Sequence, residues 1–552
     1  MTLRLRAGST VTALGAVAVA VLSLGPVVYL FLSGVSFHDV REQFRFPGTT
    51  AALWQTIGLT VLVSALSLLL GVACALLVVR TTLPCPRLFT VLFAMPLAVP
   101  GFVAAYAAYS TELTFEPHLG FVTSFGGASL ILALTLYPYV FLPGVVALRA
   151  VDPALEEMAA SLRPRRGARV WQVLVPALRP ATAAGVLIVA VHVLAEYGAM
   201  VQLNRSTLTT KIMAEMLDYG DYRSARSLSF LLVVLSVAVL AGTYLLGGGA
   251  RTRDVARGTH RPPPRRPLGA LRAPVVVLGL AVPLAAIGPT VLMTGRGLAN
   301  SKHSVPVAWG QVGTALATTL GYAVAAALVA TLVALPVSWC ATRRPSTVST
   351  LAERTVWVAH AIPSAILALA LVYGAIRLVP SLYKTPALLV AGYVILFLPL
   401  AVANQSVGLN ASRRTYDDVA ASLGAGPLRA FARITLPLAL PGFFAGALLV
   451  GLDASKELTT TLMLLPYGSH TLSTELWATT NGESLDFTAA APYAAMLVLL
   501  GAAPVYLLVR HVLRHLDVPD AASATSSPVP TKRVEVRTGS GSAEILARGS
   551  AG

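Results

Sequence analysis

Five ionisable residues stand inside apolar runs: His192 and Glu196 in one, and Asp453, Lys456 and Glu457 in another. A charge in hydrocarbon is costly, so such groups pair with one another, line a water-filled route, or reach for an interface. Asp453 and Lys456 are three apart and Asp453 and Glu457 four apart, which places all three on one helical face. Glu196 and Glu457 hold corresponding places in two similar stretches, 261 positions apart. Two readings stand side by side. Either these five residues line a pathway and help solvate a cargo, or they form an intramembrane ion pair beside a glutamate that snorkels to the outer surface.

The second chemical pattern is a duplicated loop. Glu156 to Pro180 (EEMAASLRPRRGARVWQVLVPALRP) lies without a gap over Asp417 to Pro441 (DDVAASLGAGPLRAFARITLPLALP), at the same offset of 261. Glu157 pairs with Asp418, Ala159 with Ala420, Ala160 with Ala421, and Pro176 with Pro437. An acidic pair followed by small residues favours a helix N-terminus and admits a close neighbour. A basic, turn-forming stretch then reverses the chain, with Arg163 and Gly167 in the first copy and Gly424 in the second. A second helical stretch follows, and its V-P or L-P ending is expected to break the helix before the next apolar run. Each loop therefore reads as a short helical hairpin. Upstream, MPLAVPG (Met95 to Gly101) and HAIPSAI (His360 to Ile366) open corresponding runs with an offset of 263.

Other chemistry is missing from the sequence. No G-x-x-x-x-G-K-[ST] phosphate cradle is present, so ATP hydrolysis is not expected on this chain. There is no His or Cys cluster at metal-ligand spacing and no nucleophile beside a recognisable base, so no catalytic residue, metal or cofactor is expected. Cys74, Cys85 and Cys340 read as packing residues.

The elements that hold these residues follow from composition. The 552 residues are 56% hydrophobic and 12% charged, with more apolar surface than a soluble core can hide. About twelve runs are long enough to cross a bilayer as helices, near 11–33, 52–80, 88–109, 127–148, 181–203, 227–247, 273–294, 313–341, 355–378, 385–409, 441–464 and 488–511. The first of these is read as a retained span and not as a cleaved signal. The expected fold is an all-α integral membrane protein in two tandem six-helix halves, 1–246 and 273–514. A Gly-, Pro- and Arg-rich linker at 247–272 joins them, and a disordered tail fills 515–552. Arginine-rich loops such as Arg149 to Arg169, Arg343 to Arg354 and Arg413 to Arg433 place these loops and both termini in the cytoplasm of a multi-pass cell-membrane protein. The formal net charge of +17 lies in patches between spans, which points to membrane topology and lipid contact and not to nucleic acid.

The duplicated loops resemble the EAA motif of type I ABC importer permeases: a glutamate and alanines, then glycine, then an I-x-L-P ending. The second copy matches with Asp418, Ala420, Gly424 and Ile434 to Pro437; the first matches with Glu157, Ala159 and Val173 to Pro176, with Arg163 at the glycine position. The resemblance implies the type I permease fold and two ATPase-coupling loops: Glu157, Ala159, Ala160, Arg163, Gly167 and Pro176, and Asp418, Ala420, Ala421, Gly424 and Pro437. It further implies two separate ABC ATPase subunits and an extracytoplasmic substrate-binding protein as partners. Lys456 to Trp477 (KELTTTLMLLPYGSHTLSTELW) is similar to the K-E-L-P-A-T-L-L-L-R-P segment of ferric-iron permeases, with Thr459 and Leu465 departing from it, so ferric iron is the implied cargo. Thiamine and polyamine permeases are the neighbouring alternatives. A twelve-span ion-coupled secondary transporter is the rival of another class.

Overall fold

The computed structural model describes residues 2–32, 34–151, 157–158, 174–246, 265–300, 308–412, 414–481 and 487–514. Most of the first loop, with Ala159, Ala160, Arg163 and Gly167, lies outside the described residues, as do most of the linker and the tail from 515. Residues Met1–Val509 form one compact unit; a second begins at Arg510 and is described only to Arg514, the end of the last helix.

The described residues are almost wholly helical, as peptide groups in hydrocarbon must be. The first stretch holds α1 (Thr2–Leu32), α2 (Phe37–Gln43), α3 (Thr49–Arg80), α4 (Pro86–Ala94), α5 (Gly101–Phe115), α6 (Phe125–Leu136) and α7 (Pro138–Ala150). After the first loop come α8 (Val175–Ala195), α9 (Gly198–Gln202), α10 (Leu208–Leu217) and α11 (Tyr222–Leu246). The series resumes with α12 (Arg272–Asn300), α13 (Trp309–Arg343), α14 (Thr347–His360), α15 (Ser364–Leu378) and α16 (Pro386–Ala411). It ends with α17 (Arg414–Ser422), α18 (Pro427–Ala430), α19 (Leu436–Lys456), α20 (Thr459–Leu464), α21 (Leu472–Asn481) and α22 (Phe487–Arg514). Among the described residues nine spans are long and apolar enough to cross a membrane, or twelve when each of three bent helix pairs counts as one.

Two of those bends were not expected from hydropathy, and they fall at corresponding places. The α4–α5 pair turns by 94° and α14–α15 by 102°. The cause is proline. A residue before proline is pushed out of the helical region, and Val99, ahead of Pro100, is extended at φ −94°, ψ 118°. Pro363 stands in the same place ahead of α15. The third bend, 45° between α6 and α7, falls at Pro138. Its counterpart Pro399 lies within the single helix α16.

Two matching segments, Thr207 to Thr210 (TLTT) and Thr471 to Thr474 (TLST), are paired helix starts. Thr207 and Thr210 form a capping box on α10. Thr471 and Thr474 exchange the same bonds at 3.0 and 3.3 Å. The Leu208 N–H donates to Thr56 Oγ1 and the Leu472 N–H to Thr319 Oγ1, both at 2.9 Å. Each box is thereby fixed to the long second span of its own half.

The leading helices are exchanged, which sequence alone did not suggest. α1 packs along α13, α14 and α15, and α12 along α4, α5 and α6. Ala16, Val19 and Ala20 are buried with Ala330, Ala334 and Val337. In α12, a Cβ on Gly279 would meet Phe89 and Leu77 at 3.2 and 3.3 Å.

Small residues set the closest contact in the second half. A Cβ on Gly442 of α19 would lie 2.5 Å from the Asn404 carbonyl oxygen of α16, and one on Gly408 2.6 Å from that of Ala439. Close backbone approach of this kind replaces the hydrophobic drive that lipid does not provide. Gly442→Leu should therefore destabilise the protein by about 1–3 kcal/mol or more, as overpacking does. Gly313→Leu, at a position with open space around it, should be tolerated. Thermal unfolding of both variants in detergent, followed by size exclusion, checks the contrast; equal melting curves would refute the packing argument.

Candidate functional site

The second hairpin is described almost throughout. In α17 the chain ends its helix at Gly424, where φ reaches +81° and the Ala425 N–H closes back onto the Ala420 carbonyl at 2.9 Å. That left-handed helix end suits glycine because no Cβ opposes it. Nothing lies within 4 Å of a Cβ built there, so backbone conformation and not crowding favours glycine.

The return arm corrects the expectation that proline ends it. α18 passes through a π-helical turn, Phe431–Thr435, directly into α19, and Pro437 sits in the first turn of α19. The π turn changes the hydrogen-bond register just ahead of the proline, so the helix runs on into the span. Leu174 has the same π backbone ahead of α8 and Pro176, while Pro180 and Pro441 lie inside their helices.

The two faces of α17 differ. Tyr416, Val419 and Leu423 are 45%, 51% and 81% exposed and follow one another at helical spacing. Met158, which holds Val419's place in the first copy, is 60% exposed, and Glu157 beside it is exposed too. Ala420 is buried at 4%, so its small side chain faces the permease and not an incoming neighbour, contrary to the expectation for small residues here. Asp418 and Ala421 lie in α17 with side chains outside the described residues; Pro176 and Pro437 are exposed.

Sequence reasoning missed Asp417, next to Asp418. Its Oδ1 accepts a hydrogen bond from Thr435 Oγ1 at 2.8 Å, and its Oδ2 lies 3.5 Å from Arg343 Nε. An acidic residue precedes the matched one in both copies, and that signal was available.

The five charged candidates do come together. Glu196 follows α8 at φ −71°, ψ 120°, and Glu457 follows α19 at φ −69°, ψ 123°. Glu196 Oε1 accepts from the Ala199 N–H and Glu457 Oε1 from the Thr460 N–H, each at 3.0 Å. Each carboxylate so caps the short helix after it, α9 or α20. Glu196 also lies against the start of α5, where a Cβ on Gly101 would come within 2.9 Å of Oε2. Ser364 has Gly101's place in the second half and hydrogen-bonds Glu457. The two carboxylates lie close enough to feel each other's charge.

Lys456 Nζ pairs with Asp453 Oδ1 at 3.2 Å. His192 Nδ1 lies 2.9 Å from the Ile188 carbonyl, and its ring centroid is 4.8 Å from that of Tyr139. The charges acting on His192 include His360, Asp453 and Lys456, so the cluster joins both halves. His360 was not among the candidates, although it opens the HAIPSAI segment.

A separate group stands on α2. Ligand atoms of His38, Asp39 and Glu42 lie within 4.8 Å of one another, a cluster not anticipated from spacing. Asp39 is engaged by the Arg223 guanidinium, which holds its carboxyl below the usual range and competes with any cation.

A family model described as the binding-protein-dependent transport system inner membrane component matches residues 334–518. The chain is similar to the Fe(3+)-transport system permease protein FbpB 2 of Haemophilus influenzae, 30% identical over 500 residues that cover 89% of this chain and 96% of that protein. It is also similar to the molybdenum transport system permease protein ModB of Mycobacterium bovis, 29% identical over 218 residues, 37% of this chain and 81% of that one. The ferric transport system permease protein FbpB of Actinobacillus pleuropneumoniae is 26% identical over 215 residues, 36% of this chain and 31% of that protein.

The capping geometry has a testable consequence. A glutamine keeps an acceptor for the Ala199 and Thr460 N–H groups, whereas a leucine leaves them orphaned at a cost of about 0.5–2 kcal/mol each. Glu196→Gln and Glu457→Gln should melt near the parent, and the leucine variants clearly lower. Leucine variants as stable as the glutamine ones would remove the capping role.

Proposed function

The chain belongs to the permeases of type I ABC importers, and from that premise we propose that it carries ferric iron, delivered by an extracytoplasmic binding protein and driven by two copies of a separate ATPase. The observation that carries the coupling part of this reading is the α17 hairpin: a glycine-capped helix presenting Tyr416, Val419 and Leu423 outward. An unpartnered apolar stripe on a polar hairpin is a docking face. Glu157 and Met158 mark its first-half counterpart, so residues 1–246 and 273–514 act as two permease repeats, each seating one ATPase. Both hairpins and both termini then face the cytoplasm, with lipid around the spans.

The cargo assignment rests on the likeness to the Fe(3+) permease, which spans 96% of that protein. Glu196, Glu457 and Asp453 bring carboxylate oxygens to the meeting of the halves, a donor type matched to a hard cation. ATP binding closes the two ATPases, the hairpins move together, and the spans reopen toward the binding protein; hydrolysis resets the inward-facing state.

Two measurements check this. A strain lacking the gene should fail on limiting ferric iron and grow normally on limiting thiamine or molybdate; the reverse pattern removes iron as cargo. Gly424→Val, which strains the φ of +81° at that position, should cut copurification of the ATPase severalfold while the protein still inserts. The pair Glu157→Lys with Asp418→Lys should do the same. Full retention of the ATPase by both variants would argue against hairpin docking.

A further inference from the structure

The second hairpin is fastened to the end of α13 by both of its arms. Arg343, in the last turn of α13, has a side chain only 7% exposed and meets Asp417 of the outgoing arm at 3.5 Å. One turn back, Trp339 lies edge-on to Phe431 of the return arm at 5.3 Å, and the Arg343 guanidinium sits 5.7 Å from the Trp339 ring centre. Thr435, also on the return arm, closes the loop through its hydroxyl to Asp417. Helix α13 in turn packs along α16 and α19, the helix that carries Asp453 and Lys456. A push on this hairpin has a stiff path into the spans.

The first half keeps only part of this arrangement. Arg80 has Arg343's place at the end of α3, at the offset of 263, and Glu156 has Asp417's at 261. Trp339, Phe431 and Thr435, however, correspond to Leu76, Val170 and Leu174, which offer neither an aromatic face nor a hydroxyl. Arg80 donates to the Leu148 carbonyl at 3.2 Å. The backbone beside it is tied to the end of the linker, with the Arg266 N–H donating to the Arg80 carbonyl at 2.8 Å and the Thr82 N–H to that of Arg266 at 3.0 Å.

We propose that Arg343, Trp339, Asp417 and Thr435 form a positioning clamp that passes hairpin movement to α13, and that the second hairpin therefore transmits more of the ATPase stroke than the first. This rests on the hairpins being the ATPase-coupling elements. Arg343 and Trp339 touch neither cargo nor nucleotide; they act by holding the hairpin. Arg343 is the buried partner of the pair, so its loss removes the contact that ties the outgoing arm to the end of α13 and loosens the hairpin at its root.

The test uses the full complex of permease, ATPase and loaded binding protein in proteoliposomes, reading ferric iron taken up per ATP hydrolysed, with ATPase copurification as the assembly control. Arg343→Gln should lower that ratio about tenfold, a coupling change of ordinary size, with Trp339→Leu about threefold and Arg80→Gln under about twofold. The swap Arg343→Asp with Asp417→Arg should recover at least about half of the lost coupling, which a purely structural defect would not do. An unchanged ratio in Arg343→Gln, or an equal loss in Arg80→Gln, overturns the proposal. Should Arg343→Gln fail to assemble, Trp339→Leu decides: it swaps in the first half's own residue, and an unchanged ratio there overturns the clamp. A parent complex with no ATP-driven uptake would instead sink the transport reading on which the clamp depends.

Discussion

Hydrocarbon offers no partner to a peptide group that has left its helix, and the arrangement of this protein turns on how its broken helices meet that constraint. α8 stops at Ala195 and α19 at Lys456, and each restarts two residues later as a short helix. The exposed N–H groups of those restarts are met by Glu196 and Glu457. The same carboxylates lie against the starts of α5 and α15, themselves created by the prolines at 100 and 363. Two unavoidable defects in each half thus stabilise one another. The acidic groups that result are placed between the halves because that is where the breaks are.

This geometry joins the two readings that the charged residues allowed. The Asp453–Lys456 ion pair forms. Glu196 and Glu457, however, do not reach for an outer surface; they turn to backbone donors. Each carboxylate is held by a backbone N–H group and is half-buried. On the proposed reading, a structural cap and an electrostatic feature of the pathway are the same group, and no separate set of charges is needed for each task.

Much of this was legible in the residues. Hydropathy located the apolar runs, the offset of 261 paired Glu196 with Glu457, and the likeness to the EAA motif marked Gly424 as a turn. The bends at Val99 and Ile362 escaped because they fall within runs that are apolar on average, and hydropathy averages over backbone direction. The proline endings were misjudged because a π turn, invisible as a pattern, lets the helix run through Pro437. The exchange of α1 and α12 and the Arg343–Asp417 contact join segments far apart in the chain, and single-sequence periodicity carries no information about partners. The segments that start at Thr207 and Thr471 are, in physical terms, capping boxes bonded to Thr56 and Thr319.

Duplication explains the symmetry, and the departures from it are where the halves have taken different work. Gly101 leaves room for Glu196, while Ser364 bonds Glu457, so the second carboxylate is held by one more donor. Pro138 bends the chain between α6 and α7, while Pro399 is carried within α16, leaving the second half the longer continuous helix beside α13 and α19. The aromatic and hydroxyl groups that fasten the second hairpin have no counterparts at the matching first-half positions, and there the linker ties down the end of α3. The extra donor, the longer helix and the fastened hairpin all fall in the second half. If each half seats one ATPase, as proposed, the machine need not be driven equally through two halves once their sequences share one chain, because fusion frees each copy to vary without changing the other.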